Sequence, residues 1–361
     1  MPARTQIDRD KLQQFLGQVS GSLSAGINCA ATAVGDQLGL FKALHDLRAA
    51  NSTELAAHTG LSERWIREWL QHQACLHQLD YDAATERFHL SPEAVAVLVD
   101  DTHPSYMMGG FHSVVATFPA VGNLAMSFHT GIGRAYDDHG EGCACGIERM
   151  SAYTNRVALF DKVLPLLDGG VASLEHGIRV ADVGCGGGVA TIAMAERYPN
   201  SSFVGYDTSV HALERARSKL GTLDLPNIRF VNPIDEPMPT TPTFDLVTTF
   251  DVVHDTTHPT QLIGAIHAAL ADDGRWLCAD IRSFPDFNDN LAKNPMAGLM
   301  YGFSLMVCMS AGLSTPDGAG LGTLGFNEVV ARGMTSAAGF TRFRRLDYDV
   351  PMNNYYEIRK S

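Results

Sequence analysis

The sequence is poor in basic residues, paired cysteines and long apolar runs, which nucleic-acid-binding, disulfide-bonded and membrane proteins need. Its 27 lysines and arginines are outnumbered by 40 acidic residues, which gives a formal net charge of −13. Nucleic-acid binding requires basic side chains that neutralise phosphates, so we expect no nucleic-acid partner. The seven cysteines include no C-x-x-C pair. An odd number of thiols without paired spacing is typical of reduced cysteines in a cytoplasmic protein.

Long apolar runs are also scarce. The first seven residues contain no apolar core of the kind that a signal peptide requires. The stretch 294–316 has no charged residue and is long enough to cross a bilayer. Three glycines and three serines interrupt it, and it lies between two predicted strands of one sheet. We therefore expect it to be buried or to line a pocket, and we expect no membrane association.

A chain of 361 residues favours two domains. Residues 1–100 predict a helical winged-helix or dimerisation domain. Apolar periodicity over 11–47 predicts two helices that are broken near 20–26. Asn51 with Glu54 predicts a capping box for a helix over 52–59, and Ser62 caps the next helix. The predicted apolar face of that helix contains Trp65, Ile66, Trp69 and Leu70. A hairpin over 79–90 follows.

A winged helix raises the possibility of DNA binding, but its charge argues against it. Between Asp46 and Asp100 there are four arginines and nine acidic residues, a net charge of −5. We expect this domain to form a homodimer or to cap a substrate.

Residues 101–150 show little regular period and are rich in glycine and aromatic residues. Such loops often cover a functional site, and an interdomain linker is the equal alternative. Cys143 and Cys145 lie near His139, but no second pair of ligands has suitable spacing. We therefore predict no metal site.

Residues 151–361 predict an α/β domain. A helix is expected over 151–168, after which strands and helices alternate, as in a doubly wound parallel sheet. The predicted strands are 179–183, 202–206, 228–231, 245–250 and 275–281, and the predicted helices are 189–197, 208–220 and 260–270. Two extended runs, 341–347 and 354–359, are expected to close the sheet as an antiparallel hairpin, whereas dinucleotide-binding domains normally add a sixth parallel strand.

A glycine-rich turn follows the first strand of this domain. Asp182 ends the strand, and Gly184, Gly186 and Gly188 lead into the next helix. Glycine allows positive φ and close approach of a ligand to the main chain, and the N–H groups at a helix start face that ligand. A dinucleotide fingerprint would need a small residue at position 189, where this chain has valine.

Acidic residues end the following strands. Asp207 has two oxygens that could accept both ribose hydroxyls of an adenosyl group, although capping the next helix is an alternative. Asp235 follows the third strand, where adenine usually lies. Phe250 and Asp251 end the fourth strand, and we assign them to the same cofactor site.

His254 follows Asp251 at the carboxyl end of the sheet, where open α/β sheets bind ligands. Imidazole suits proton removal at neutral pH, so we predict that His254 is a general base and that Asp280, at the end of the fifth strand, orients it. The alternatives are a histidine that bonds backbone and a carboxylate that caps a turn.

These patterns resemble class I S-adenosylmethionine-dependent methyltransferases of a bacterial family that carries an N-terminal winged helix. The resemblance covers nearly the whole chain, and its most specific parts are 180–188, 244–255 and 338–345. It implies a Rossmann-like seven-stranded methyltransferase sheet of five parallel strands plus a C-terminal antiparallel hairpin, the cofactor S-adenosyl-L-methionine, and methyl transfer to a small-molecule acceptor.

The His254-Asp255 pair is similar to the His-Asp pair of winged-helix O-methyltransferases of the plant caffeate and bacterial polyketide type, in which the histidine is the base. Here Thr256 and Thr257 follow, where those enzymes commonly have tryptophan. The attacking atom of the acceptor, O, N or S, therefore stays open. An arsenic acceptor held by Cys143, Cys145 and Cys308 is a remote alternative.

The insertion 282–340 is much longer than a simple crossover needs. Its apolar, methionine-rich composition predicts that it walls the acceptor pocket or forms a dimer interface. A regulator that senses S-adenosylmethionine without transferring its methyl group is the competing functional hypothesis.

Overall fold

The computed structural model describes residues 7–361. Residues 1–6, on which most of the signal-peptide argument depends, lie outside the described residues. The chain divides into two compact units, one that ends at Val115 and one that extends from Ala116 to Ser361. The domain boundaries at 100 and 150 stay predictions. No helix within residues 7–361 has the length and apolar character needed to cross a bilayer.

The first unit is helical with one small hairpin. Its elements are α1 (Arg9–Gln37), α2 (Leu40–Leu47), α3 (Ser52–Thr59), α4 (Glu63–Cys75), β1 (Asp80–Asp82), β2 (Arg87–His89) and α5 (Pro92–Leu98), followed by α6 (Met108–Thr117), which extends two residues into the second unit. The predicted break near 20–26 is wrong, because α1 is continuous. Isolated glycines cost a helix only about 1 kcal/mol each, and α1 ends only before Gly39, at φ +70°.

The predicted capping box is present. The Asn51 side chain accepts a hydrogen bond from the Glu54 N–H at 2.9 Å, and the Glu54 carboxylate accepts one from the Asn51 N–H at 3.0 Å. Ser62 precedes α4, but its side chain makes no capping bond. Trp65 is 79% exposed, so its assignment to the apolar face is wrong. The buried residues Ile66, Trp69 and Leu70 recur at helical spacing, and Trp65 is one step, about 100°, off that face.

Three arginines of this unit are paired with acids. Arg64 contacts Glu68 at 2.6 Å, Arg67 contacts Glu63 at 2.6 Å, and Arg87 also pairs with Glu54. Phosphate binding would have to break these pairs, which weighs against a DNA-binding surface on α4.

The second unit contains the sheet. Its helices are α7 (Val121–Thr130), α8 (Glu141–Met150), α9 (Gly170–His176), α10 (Val189–Arg197), α11 (Val210–Leu220), α12 (Pro259–Ala269), α13 (Phe287–Lys293), α14 (Ala297–Phe303), α15 (Met309–Gly312) and α16 (Glu328–Ala337). Its strands are β3 (Arg179–Val183), β4 (Ser202–Tyr206), β5 (Ile228–Val231), β6 (Phe244–Phe250), β7 (Leu270–Ile281), β8 (Arg342–Arg345) and β9 (Asn353–Arg359).

The strand order is β5-β4-β3-β6-β7-β9-β8. The first five strands in this order are parallel, and β9 is antiparallel to both β7 and β8. The predicted fold class is confirmed. The chain winds outward from β3 to β5 and then returns to add β6 beside β3. The crevice beyond the carboxyl ends of β3 and β6 is therefore the topological switch point, where such sheets bind ligands.

Two predictions of local structure were incomplete. The stretch 101–150 contains α6, α7 and α8 where we expected irregular loops, because glycines and small residues obscured the apolar period. The helix predicted over 151–168 is a π-helix over Thr154–Val163 followed by a 3₁₀ turn over Leu164–Leu166. Pro165 explains the change, since it cannot donate the backbone hydrogen bond that would continue a helix.

Candidate active site

The glycine turn joins β3 to α10 at the switch point. The N–H groups of Gly184 and Cys185 donate to the Tyr206 carbonyl at 2.8 and 3.0 Å, and the Gly188 N–H donates to the Cys185 carbonyl at 2.9 Å. The Gly186 N–H donates to Asp207 Oδ2 at 2.7 Å. Because protein oxygens already occupy these four donors, the turn is not a cradle for pyrophosphate. This agrees with the argument from Val189.

Lack of space favours glycine at several positions of this turn, Gly187 and Gly188 among them. Gly188 has φ +73°, and a Cβ there would lie 2.5 Å from the Phe230 ring. A Cβ at Gly187 would lie 1.9 Å from the Glu148 carboxylate. Glu148 is held in place by Arg215 and by Lys219, whose Nζ also donates to the Gly187 carbonyl at 2.9 Å. The helix α8 thus closes the outer side of the turn.

Asp207 follows β4 and is tied to the main chain by both oxygens. Its Oδ2 accepts from Gly186, and its Oδ1 accepts from the Ser209 N–H at 2.8 Å. Burial raises the pKa of Asp207, while these N–H donors oppose the rise. Each carboxylate oxygen can accept a second hydrogen bond. The side chain is therefore fixed in orientation and still able to receive two hydroxyl groups.

Asp182 is sealed in the core, with 1% of its surface exposed. Its Oδ2 accepts from the Thr191 hydroxyl at 2.5 Å, and its Oδ1 accepts from the Thr248 hydroxyl at 2.8 Å. Burial raises its pKa to about 6. These bonds join β3, α10 and β6, so the geometry gives Asp182 a positioning role for the turn. Direct contact of Asp182 with a cofactor stays a prediction.

The other predicted cofactor residues lie in different surroundings. Asp235 lies in an exposed turn after β5. Phe250 ends β6 and packs against the core of the sheet. Asp251 has φ +58° and accepts a hydrogen bond from the Asn353 side chain on β9. Burial, then the charge of Asp280, raises the pKa of Asp251 to about 7.

His254 and Asp280 form a buried pair. The Nδ1 atom of His254 lies 2.7 Å from Asp280 Oδ1, and the two residues are 3% and 1% exposed. Burial acts to lower the pKa of His254, but the Asp280 carboxylate and the Cys308 sulfur outweigh it and hold that pKa well above its usual value. Because Nδ1 faces Asp280, the contact of His254 with the Cys308 sulfur falls to Nε2, the ring nitrogen that a ligand would have to reach.

Four residues that we did not assign to the site surround this pair. Tyr136, Cys143, Asp255 and Cys308 lie close enough together for their charges to affect one another: Asp255, Cys308 and Cys143 all raise the pKa of Tyr136, which burial raises most. Asp207 contributes as well. Asp255 adjoins His254 in the sequence, whereas Tyr136, Cys143 and Cys308 come from segments that are distant from it.

The segment that carries Tyr136 is anchored at two points. The Gly133 N–H donates to the Leu313 carbonyl at 2.8 Å, and the Arg134 N–H donates to Ser310 Oγ at 3.0 Å. Further along, Asp137 Oδ2 accepts from the Val210 N–H at the start of α11 at 2.8 Å. Residues 131–137 thus contact the insertion 282–340 beside the site, as expected if the first segment covers the site and the insertion forms its wall.

Carboxylates dominate the charge of the site. Asp182, Asp207, Asp251, Asp255 and Asp280 are buried or partly buried, and burial raises the pKa of Asp255 to about 7. The ion pair that we identify among these five carboxylates is that of Asp280 with His254. A ligand that carries positive charge would offset the cost of burying these groups.

The two cysteines of α8 have different surroundings. Cys145 interacts with Arg215, and the buried Cys143 has a pKa raised to about 12, mainly by burial. Both ring nitrogens of His139 have no hydrogen-bond partner among the described residues, and burial lowers its pKa to about 4.

Comparisons with known proteins agree with this geometry. Residues 181–276 match the sequence profile of a methyltransferase domain. The chain contains a methyltransferase domain. Residues 26–100 match an Rv2258c-like winged HTH domain. The resemblance inferred from the sequence is confirmed.

Solved structures share the fold over nearly the whole chain. A protein of Nostoc punctiforme has a TM-score of 0.69 at 18% identity, covering 98% of this chain and 99% of that chain. Mitomycin 7-O-methyltransferase has a TM-score of 0.67 at 16% identity, with 98% and 100% covered. Human N-acetylserotonin methyltransferase, solved in complex with SAM, has a TM-score of 0.67 at 16% identity, with 100% and 99% covered. Identities this low establish the fold alone.

Curated relatives match a shorter segment. The trans-aconitate 2-methyltransferase of Streptomyces coelicolor is 49% identical over 43 residues, which are 12% of this chain and 14% of that enzyme. The match therefore covers a small part of the relative's length.

The position of Asp182 predicts its effect on stability. Asp182→Ala leaves two buried hydroxyls without an acceptor and should lower the free energy of unfolding by about 2–4 kcal/mol. Asp182→Asn keeps the shape and one acceptor and should lose less. Because burial raises the pKa to about 6, wild type should gain stability relative to the Asn variant as the pH falls from 6 towards about 4, where the unfolded carboxyl also binds its proton. Thermal denaturation at several pH values checks this, and equal melting temperatures for wild type and the Ala variant would contradict it.

Proposed function

We propose that this protein is an S-adenosylmethionine-dependent methyltransferase that acts on a small-molecule acceptor. The observation that carries the proposal is the cluster of buried carboxylates around a glycine turn in which protein oxygens already occupy four N–H groups. Such a site suits a cationic cofactor and is unsuited to a pyrophosphate. When bound, S-adenosylmethionine supplies an electrophilic methyl group on a sulfonium centre.

Three parts of the chain fit that cofactor. Asp207, held by two N–H donors, receives the ribose hydroxyls. The turn over 184–188 lies against the amino-acid part, and Asp182 keeps the turn in place through Thr191 and Thr248. Asp235 and Phe250 would bound the adenine end, and Asp251 would supply negative charge that favours a sulfonium.

His254 removes the proton of the acceptor in its neutral form, which the raised pKa of the ring places at higher pH than for an ordinary histidine. Its Nδ1 is held by Asp280, so Nε2 faces the acceptor, and Asp280 stabilises the imidazolium that forms when the proton arrives. Tyr136 and the insertion 282–340 exclude water and press the acceptor against the methyl group. Alignment in such a dry site supplies most of the rate acceleration.

A hydroxyl is the acceptor group that best fits a histidine base, since hydroxyls need proton removal as they attack. Mitomycin 7-O-methyltransferase, one of the structural neighbours, bears an O-methyl transfer in its name. A thiol acceptor is already partly ionised near neutral pH and would need His254 less.

A screen of hydroxyl, amine and thiol compounds for S-adenosylhomocysteine release tests the function. With the best acceptor, His254→Gln should lower kcat by about 10²–10⁴-fold, and Asp280→Asn should lower it less. Binding of S-adenosylhomocysteine should be unchanged in both variants. Full turnover by His254→Gln would exclude the base role, and the absence of any acceptor across the screen would contradict the function.

We propose that the chain forms a homodimer through α1. Every residue from 9 to 23 is exposed, and one face of the helix carries a stripe of exposed apolar side chains: Leu12, Phe15, Leu16, Val19, Leu23, Ile27, Val34 and Leu38. Helices gain most of their stability from packing such a face. A two-fold axis would bring the same stripe from a second copy against it.

The double substitution Phe15→Asp with Leu23→Asp should halve the mass measured by light scattering, because it places charges in the stripe. Gln14→Asp with Gln18→Asp introduces the same charges on the opposite face of α1 and should leave the mass unchanged. A monomeric mass for the wild type would exclude the dimer.

The compartment proposed for this protein is the cytoplasm. All seven cysteines are free, and Cys143 and Cys278 are buried. Buried thiols of this kind persist where glutathione keeps them reduced.

A further inference from the structure

Three side chains at the acceptor end of the site have the donor atoms of a metal centre. One nitrogen of His254, a carboxylate oxygen of Asp255 and the sulfur of Cys308 all lie within 4.8 Å of one another. They are contributed by the turn after β6 and by the π-helix over Ser304–Cys308. Among the described residues, this is the group of His, Cys and acidic side chains that comes together in this way.

The histidine is oriented as a ligand would be. Because Nδ1 faces Asp280 at 2.7 Å, the proton lies on Nδ1 in the neutral ring, and Nε2 presents its lone pair. A carboxylate that holds the second nitrogen is the usual support of a metal-binding histidine, since it fixes the tautomer and makes the ligand more basic.

The donor set selects the kind of metal. One nitrogen, one sulfur and one oxygen suit zinc and similar transition metals, whereas Mg²⁺ and Ca²⁺ prefer oxygen ligands throughout. Tetrahedral bonds of about 2.0–2.3 Å would separate the donor atoms by roughly 3.3–3.8 Å. Side-chain movements of about 1 Å would bring the three donor atoms from their present spacing, within 4.8 Å, to these distances. Three protein ligands leave the fourth position open.

We propose that His254, Asp255 and Cys308 bind a divalent transition-metal ion of the zinc type, and that the bound ion switches off methyl transfer by occupying the Nε2 atom of His254. The Cys308 thiol and the Nε2 atom of a protonated His254 each release a proton to solvent as the sulfur–metal and nitrogen–metal bonds form. The inhibitory part rests on the proposed role of His254 as the base, whereas the binding part depends only on the three ligands.

Titration of the purified protein with Co²⁺ tests the binding. We expect one ion per chain and a thiolate-to-cobalt charge-transfer band in the near ultraviolet. Cys308→Ser should abolish that band, and Asp255→Asn should weaken binding. Asp280→Asn should weaken it by about 10- to 100-fold, as loss of a supporting carboxylate does. Cys145→Ser is the matched control and should keep the band.

Zn²⁺ added to the methyl-transfer assay tests the switch. Turnover by wild type should be lost as Zn²⁺ fills the site and should return when a chelator is added. The Zn²⁺ concentration that halves turnover should match the affinity for Zn²⁺ measured by its displacement of Co²⁺. The absence of the band in wild type, or its persistence in Cys308→Ser, would overturn the site. Saturating metal without inhibition would overturn the switch. If Co²⁺ binds but no acceptor is methylated in metal-free buffer, the proposed function fails while the metal site stands.

Discussion

The burial of several aspartates at one edge of a parallel sheet is the constraint on which the rest of the site depends. Asp182, Asp207, Asp251 and Asp255 carry raised pKa values because burial disfavours their charged forms. The fold stabilises them through N–H and hydroxyl donors in place of lysine or arginine. Buried carboxylates arranged in this way favour the binding of a positively charged ligand. This arrangement also argues against a dinucleotide as the ligand of this Rossmann-like crevice.

Much of this architecture could be predicted from sequence because it depends on local rules. The strand–glycine–helix order, the Asp207 position and the terminal hairpin all follow from spacing along the chain. The capping box of Asn51 and Glu54 is likewise local. The positions of β3, β4 and β5 were predicted to the residue, since buried strands bounded by turns give a clear pattern.

What could not be predicted depends on contacts between distant segments. Tyr136 reaches the site only because Gly133 and Arg134 bond the insertion near Ser310 and Leu313. Cys308 comes beside His254 through a π-helix that no residue pattern indicates. The role of Asp182 also differs from the expected one: the hydroxyls of Thr191 and Thr248 lie 9 and 66 residues away. A local pattern can also mislead: residues 20–26 are weak helix formers and predicted a break, yet α1 continues through them.

Binding of S-adenosylhomocysteine by isothermal titration calorimetry tests the central claim most directly. The account predicts micromolar binding by wild type, none by Asp207→Ala, retained binding by Asp161→Ala on an exposed helical surface, and no heat with NAD. An absence of heat with S-adenosylhomocysteine, or equal affinity in Asp207→Ala, would contradict the account.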